Sequence, residues 1–86
     1  MKQAAKFELE LANTHARIAR THLENADTLN WIKAREEIRL ASFQMHVSHA
    51  HLLIALAYDS QDLDYKEACI TEADDLLTAA QEMGLF

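Results

Sequence analysis

The sequence predicts an all-α protein, a three-helix antiparallel bundle with a long central helix. Of its 86 residues half are hydrophobic, proline is absent and glycine occurs once. A β or α/β chain of this size needs more turn residues than that. Apolar residues also recur at helical spacing in three segments that two short polar connections separate. We therefore expect residues 1–86 to form one helical domain whose short connections make neighbouring helices antiparallel.

The first predicted helix covers about residues 2–25. At about 100° per residue its apolar positions fall on one side of the helix. These positions are Ala4, Phe7, Leu11, Ala12, Ile18, Ala19 and Leu23. Cap-forming residues then break the pattern, and either Asp27 or Thr28 can accept a hydrogen bond from the first turn of the next helix.

The second predicted helix runs over about residues 28–58 and carries two apolar faces. Its main spine is Trp31, Ala34, Ile38, Ala41, Met45, Leu52 and Leu56, and its second face is Phe43, Val47, Ala50, Ile54 and Ala57. Two apolar faces require two neighbours, so this helix is predicted to be central, with residues 40–58 sandwiched. Its charged start is covered by the first helix alone, which leaves the region of Trp31 and Ile38 partly exposed.

The third predicted helix covers about residues 64–83. Asp64 and Glu67 have the spacing of a capping box at its start. The predicted buried stripe is Tyr65, Cys69, Ala73, Leu76, Ala80 and Met83. Gly84 follows at the position where a left-handed residue would let Leu85 fold back on the last turn.

Negative charge is concentrated at the C-terminal end of the chain. Residues 59–86 contain eight acidic residues and one base, whereas residues 1–58 contain six acids and seven bases. Five of the acids fall on one side of the third helix: Asp64, Glu67, Asp74, Asp75 and Glu82. This acidic stripe is either a solvated outer face or a docking surface for a basic partner, which a row of carboxylates could attract by imitating phosphates.

Polar residues interrupt the apolar face of the first helix at intervals of seven: Glu8, His15 and His22. One interpretation is that these side chains find hydrogen-bond partners in the core or at an oligomer interface. The other is that they form a row of metal ligands, assisted by His46 and His49. Antiparallel pairing about a turn near residue 27 predicts only Glu8 with His46 as a cross-helix pair. Ligands seven residues apart on a helix are also about 10 Å apart along its axis, which is too far for one ion to bridge. We therefore predict no metal and no cofactor.

Residues 50–77 carry Ala57-Tyr58 at the end of one helix and Tyr65-Lys-Glu-Ala68 at the start of the next. This segment, about a third of the chain, resembles one helical hairpin of the tetratricopeptide family. The resemblance implies helix-hairpin packing used for protein binding. The turn glycine and the family's repeat period are missing, so we do not assign the chain to that family.

Catalytic patterns are missing from the sequence. There is no glycine-rich phosphate loop and no nucleophile elbow, and the lone Cys69 falls in a buried stripe, so we expect no enzyme. The basic residues are interleaved with acids, which argues against direct nucleic-acid binding. The longest apolar run, residues 52–58, is too short to cross a membrane. A single cysteine requires no oxidising compartment, which favours the cytoplasm.

The expected function is therefore protein–protein interaction by a small acidic helical module that associates with itself. The simplest assembly is a dimer that buries Trp31 and Ile38. The first alternative is an acidic inhibitor that occupies a nucleic-acid-binding groove of another protein. The second alternative is a histidine-based binder of a metal or small ligand.

Overall fold

A computed structural model describes residues 1–28 and 30–84, which form three α-helices and no strand. Helix α1 is Gln3–Ala26, α2 is Trp31–Asp59 and α3 is Leu63–Glu82. The predicted all-helical fold is confirmed. The second helix begins three residues later than predicted because Asn30, rather than Asp27 or Thr28, is its cap: the Asn30 side chain accepts a 3.1 Å hydrogen bond from the Lys33 amide.

Helix α2 is the central element, and both other helices pack on it. Over the described residues, no Cα atom of α1 comes within 8 Å of one in α3. The molecule measures 48 × 23 × 17 Å along its principal axes. The bundle is therefore open, so a large part of the α2 surface between its two neighbours remains uncovered.

The contact between α1 and α2 is built on alanine. Ala5, Ala12 and Ala19 are buried at intervals of seven on α1. Ala41 and Ala55 are buried on α2, with Ser48 midway between them. The Ser48 hydroxyl donates a 2.7 Å hydrogen bond to the Ala12 carbonyl, so the two backbones lie close together. Within residues 1–28 and 30–84, nine of the thirteen buried hydrophobic residues are alanine, so much of the core depends on close approach of helices rather than on large side chains.

The contact between α2 and α3 holds the larger core side chains. One cluster contains Ala50, Leu53, Ala57, Cys69 and Ala73, and a second contains Phe43, Val47 and Ala80. The predicted burial of Cys69, Ala73 and Ala80 is confirmed. Tyr65, assigned to the same stripe, is 46% exposed. It lies in the first turn of α3, where α2 is the only neighbouring helix in the described structure.

The predicted spine of α2 is wrong for Met45, Leu52 and Leu56, which are exposed. Trp31 and Ile38 are exposed, as expected for the start of the helix, and Ala41 is buried as predicted. The reason for the error is that α1 packs against the adjacent row of small residues, where the helices can approach closely. Large side chains in that row would hold the two backbones apart.

The C-terminal end of α3 follows the predicted geometry. Gly84 has φ of +71°, the left-handed conformation that glycine adopts without steric cost. The predicted fold-back of Leu85 lies outside the described residues. Arg39 of α2 also reaches this end, where its guanidinium donates a 2.6 Å hydrogen bond to the Met83 carbonyl.

Candidate interaction surface

A row of four large apolar side chains runs along the open side of α2. We call Trp31, Ile38, Met45 and Leu52 the α2 row; they are spaced by seven residues and are 74%, 52%, 49% and 41% exposed. The row is about 32 Å long at 1.5 Å per residue. Large exposed apolar side chains aligned along one side of a helix are typical of a surface that packs against another helix.

An open groove lies beside the C-terminal half of the α2 row. It has a volume of about 430 Å³ and is lined by Met45, His46, Ser48, His49, Leu52 and Leu76. Leu76 belongs to α3, so α3 forms one wall of the groove and α2 the other. The Nδ1 atom of His46 donates a 2.8 Å hydrogen bond to the Ser42 carbonyl, which fixes the ring against its own helix. His49 is exposed at the groove edge.

A ladder of three polar pairs crosses the contact between α1 and α2. Each histidine Nδ1 lies 2.5 Å from a side-chain oxygen of the other helix, and the pairs are Glu8 with His51, His15 with Gln44 and His22 with Glu37. All three hydrogen bonds are partly buried. The His15 and His51 rings also stack, with centroids 5.6 Å apart and an angle of 11° between planes. The ladder therefore satisfies the polar residues that interrupt the apolar face of α1.

The predicted pairing of Glu8 with His46 is wrong. The structure pairs Glu8 with His51, and it pairs His15 with Gln44 rather than with residues 39–40. The cause is the later start of α2 at Trp31, which moves the turn and shifts the register along α2 by more than one helical turn. His46 consequently faces the groove towards α3 instead of α1.

The ladder has the character of a structural element rather than a ligand site. The side chains of its two ion pairs are 17–24% exposed and partnered with each other. Within residues 1–28 and 30–84, every buried side-chain nitrogen or oxygen has a hydrogen-bond partner. In the same residues no three histidine, cysteine or acidic side chains converge as metal ligands would.

The five residues of the predicted acidic stripe are all exposed. Asp64, Glu67, Asp74, Asp75 and Glu82 lie along the outer side of α3. In the part of the chain that the structure describes, none of them forms an ion pair. A shallow depression of about 480 Å³ adjoins the stripe near Glu67, Glu72 and Asp75. The stripe is therefore free to act on a charged partner through long-range attraction or repulsion.

Cys69 and Tyr65 do not form an activated pair. Cys69 is buried and unoxidised in the α2–α3 core. Hydrogen bonding to the Cys69 side chain raises the pKa of the Tyr65 phenol above its ordinary value. A raised pKa keeps the phenol protonated at neutral pH, which is the opposite of what a nucleophile or general base requires.

Sequence reasoning missed three members of this region. It assigned Met45 and Leu52 to the core, and it did not place His51 opposite Glu8. The signal for all three was present in the alanines at intervals of seven. Placing Ala5, Ala12 and Ala19 against Ala41, Ser48 and Ala55 sets the register that pairs Glu8 with His51.

Comparison with known proteins does not add a relative: no protein family, curated protein or solved structure matches this chain. The likeness of residues 50–77 to a tetratricopeptide hairpin accordingly does not extend to a family match. None of the described helices is long and apolar enough to cross a membrane.

Proposed function

We propose that this chain is a helical protein–protein interaction module that associates with itself through the α2 row. The observation that carries the proposal is the inversion of side-chain size on the two sides of α2: alanines form the buried part of the α1–α2 contact, whereas Trp31, Ile38, Met45 and Leu52 face outward. In a monomer these four side chains keep 41–74% of their surface exposed to water. Their regular spacing on one rigid helix makes the row suited to packing against another helix. The lone buried Cys69 is compatible with a reducing, cytoplasmic setting.

The size of the row sets the expected affinity. Full burial of a large apolar side chain contributes about 1.5–3 kcal/mol, so completing the burial of a half-exposed one contributes roughly 1 kcal/mol. Eight such side chains in a dimer provide on the order of 10 kcal/mol before the cost of association is subtracted. Subtracting a cost at the low end of its range, about 4–5 kcal/mol, leaves about 5–6 kcal/mol, which corresponds to a dissociation constant on the order of 100 µM.

Light scattering or sedimentation equilibrium across about 10–500 µM tests the proposal. We expect the mass to rise from monomer to dimer over this range. Ile38→Asp should remove the dimer because it places a charge in the middle of the contact, where desolvation is costly. Circular dichroism should show that the variant keeps its helicity, because Ile38 is already 52% exposed in the monomer.

Ile32→Asp is the matched control. Ile32 is 65% exposed on the same helix, but it lies about 120° around the helix from Ile38 and outside the α2 row. The two variants change the net charge equally, so only the position of the charge differs. The proposal is wrong if the wild-type chain stays monomeric at about 500 µM, or if both variants weaken the dimer to the same extent.

A further inference from the structure

The α2 row has an unpaired charge of opposite sign near each end. Arg35 lies one helical turn after Trp31 and is exposed beside the row. Asp59 follows Leu52 by seven residues, so it continues the line of the row at the last residue of α2. Neither side chain forms an ion pair in the described structure, whereas the nearby Arg39 is paired with Glu36. The row is therefore positive at its start and negative at its end.

This polarity distinguishes the two ways in which a second copy could pack on the row. In a parallel arrangement, Arg35 would meet its own symmetry mate and Asp59 would do the same, which places like charges together at both ends. In an antiparallel arrangement, Arg35 of each copy would approach Asp59 of the other. The macrodipoles of two neighbouring antiparallel helices also attract each other, whereas those of two neighbouring parallel helices repel each other.

We infer that two copies pair antiparallel along α2 with a two-fold axis at the level of residue 47. Residue 47 is midway between Arg35 and Asp59, so an axis there brings both charge pairs together at once. Ile38 of one copy then packs near Leu56 of the other, which is also exposed, and Met45 packs near His49. This inference rests on the proposed self-association and adds the orientation and the residues that set it.

The pattern is self-complementary in charge about residue 47. Arg35 and Asp59 are about 36 Å apart along one helix, so each lies at the far end of the apolar contact from the other. Two identical ion pairs at the rim would bracket an apolar centre, which is the usual arrangement of a protein interface. The polar ladder is on the α1 side of α2 and stays intact in this dimer.

Site-directed crosslinking tests the orientation directly. In a background of Cys69→Ala, which removes the native thiol, Ile38→Cys and Leu56→Cys are made separately. In the antiparallel dimer two copies of residue 38 lie roughly 27 Å apart along the helix axis, beyond the reach of a disulfide. Ile38→Cys alone should therefore stay uncrosslinked on oxidation, and a mixture of the two variants should give a heterodimeric disulfide.

Charge reversal gives an independent test. Arg35→Asp or Asp59→Arg alone should raise the dissociation constant of the dimer on the order of tenfold, since each change turns two attractions into two repulsions. The double variant Arg35→Asp/Asp59→Arg restores both pairs and should dimerise as the wild type does. Arg17→Asp, an exposed arginine on α1 outside the row, is the control for net charge and should have little effect.

The outcomes separate this inference from the proposed function. A wild-type chain that remains monomeric overturns both. A dimer in which Ile38→Cys crosslinks to itself keeps the proposed function and overturns the antiparallel orientation. A double charge variant as weak as the two single variants overturns the role of Arg35 and Asp59, because exchanging the two charges must restore a true pair.

Discussion

The pair of Glu8 and His51 gives the sharpest test of how α1 is held on α2. Their side chains are 17% and 22% exposed and joined by a 2.5 Å hydrogen bond. His51→Leu would leave the Glu8 carboxylate without its hydrogen-bond donor. It would also remove the imidazole ring that stacks on His15. Loss of a hydrogen bond to a charged group costs about 1.5–3 kcal/mol. An unpaired carboxylate costs more than this when it is fully buried. Glu8 is partly exposed, so water can solvate part of its carboxylate. We expect the free energy of unfolding to fall by about 1.5–3 kcal/mol.

Replacement of both partners should have a different effect. In Glu8→Leu/His51→Leu no charge remains in the contact, and two apolar side chains of similar size occupy the space. Exchanging a buried ion pair for apolar residues is often neutral or stabilising. The double variant should therefore be at least as stable as the better single variant, with a coupling free energy of about 1.5 kcal/mol or more. Urea unfolding followed by circular dichroism, at one protein concentration so that self-association does not vary, measures all four corners of the cycle.

The control for this cycle is another histidine of the same helix. His49 is exposed and, among the residues that the structure describes, has no hydrogen-bond partner across the α1–α2 contact, so His49→Leu should change stability by no more than about 0.5 kcal/mol. If the costs of the two single changes simply add in the double variant, the ladder pair carries no interaction. The close approach of the helices would then have to depend on the alanines alone.

Two further variants test the alanine contact and the start of α2. Ala12→Leu should lower stability by about 1–3 kcal/mol because Ala12 is 4% exposed and its carbonyl accepts from Ser48, which leaves no space for a larger side chain; an unchanged unfolding midpoint in urea would contradict close packing at this position. Asn30→Ala should cost about 0.5–2 kcal/mol through loss of the helix cap, whereas Asn30→Asp, which keeps an acceptor, should retain stability in the same thermal unfolding measurement. Equal losses in both Asn30 variants would contradict the capping role.

The sequence was sufficient for the helices but not for their register. Periodicity located all three elements to within three residues, because an amphipathic pattern persists over many turns. The register depended on one local choice, whether Asp27, Thr28 or Asn30 caps α2. All three residue types are good caps, so propensity could not decide among them. The choice of Asn30 moved α2 along α1 and exchanged His46 for His51 as the partner of Glu8.

Burial on α2 was harder to predict than helicity. Apolar residues occur almost all around this helix, so periodicity alone cannot tell which row faces a neighbour and which faces water. Periodicity placed Ala41 and Met45 in the same spine and did not separate small from large side chains. The structure buries Ala41 and leaves Met45 exposed, because a contact between two helices is decided by how closely their backbones approach as well as by the size of the buried side chain.

The packing of α1 on α2 and the proposed association follow from one physical trade-off. A row of alanines allows α1 and α2 to approach closely, but each alanine gains little from burial compared with a leucine or isoleucine. The side chains of the α2 row lie beside this contact, where the open bundle leaves them about half exposed or more. A chain of 86 residues can form only a small hydrophobic core. Packing a second copy on the α2 row would bury the side chains that the alanine contact excludes, so assembly would contribute the stability that the small internal core does not.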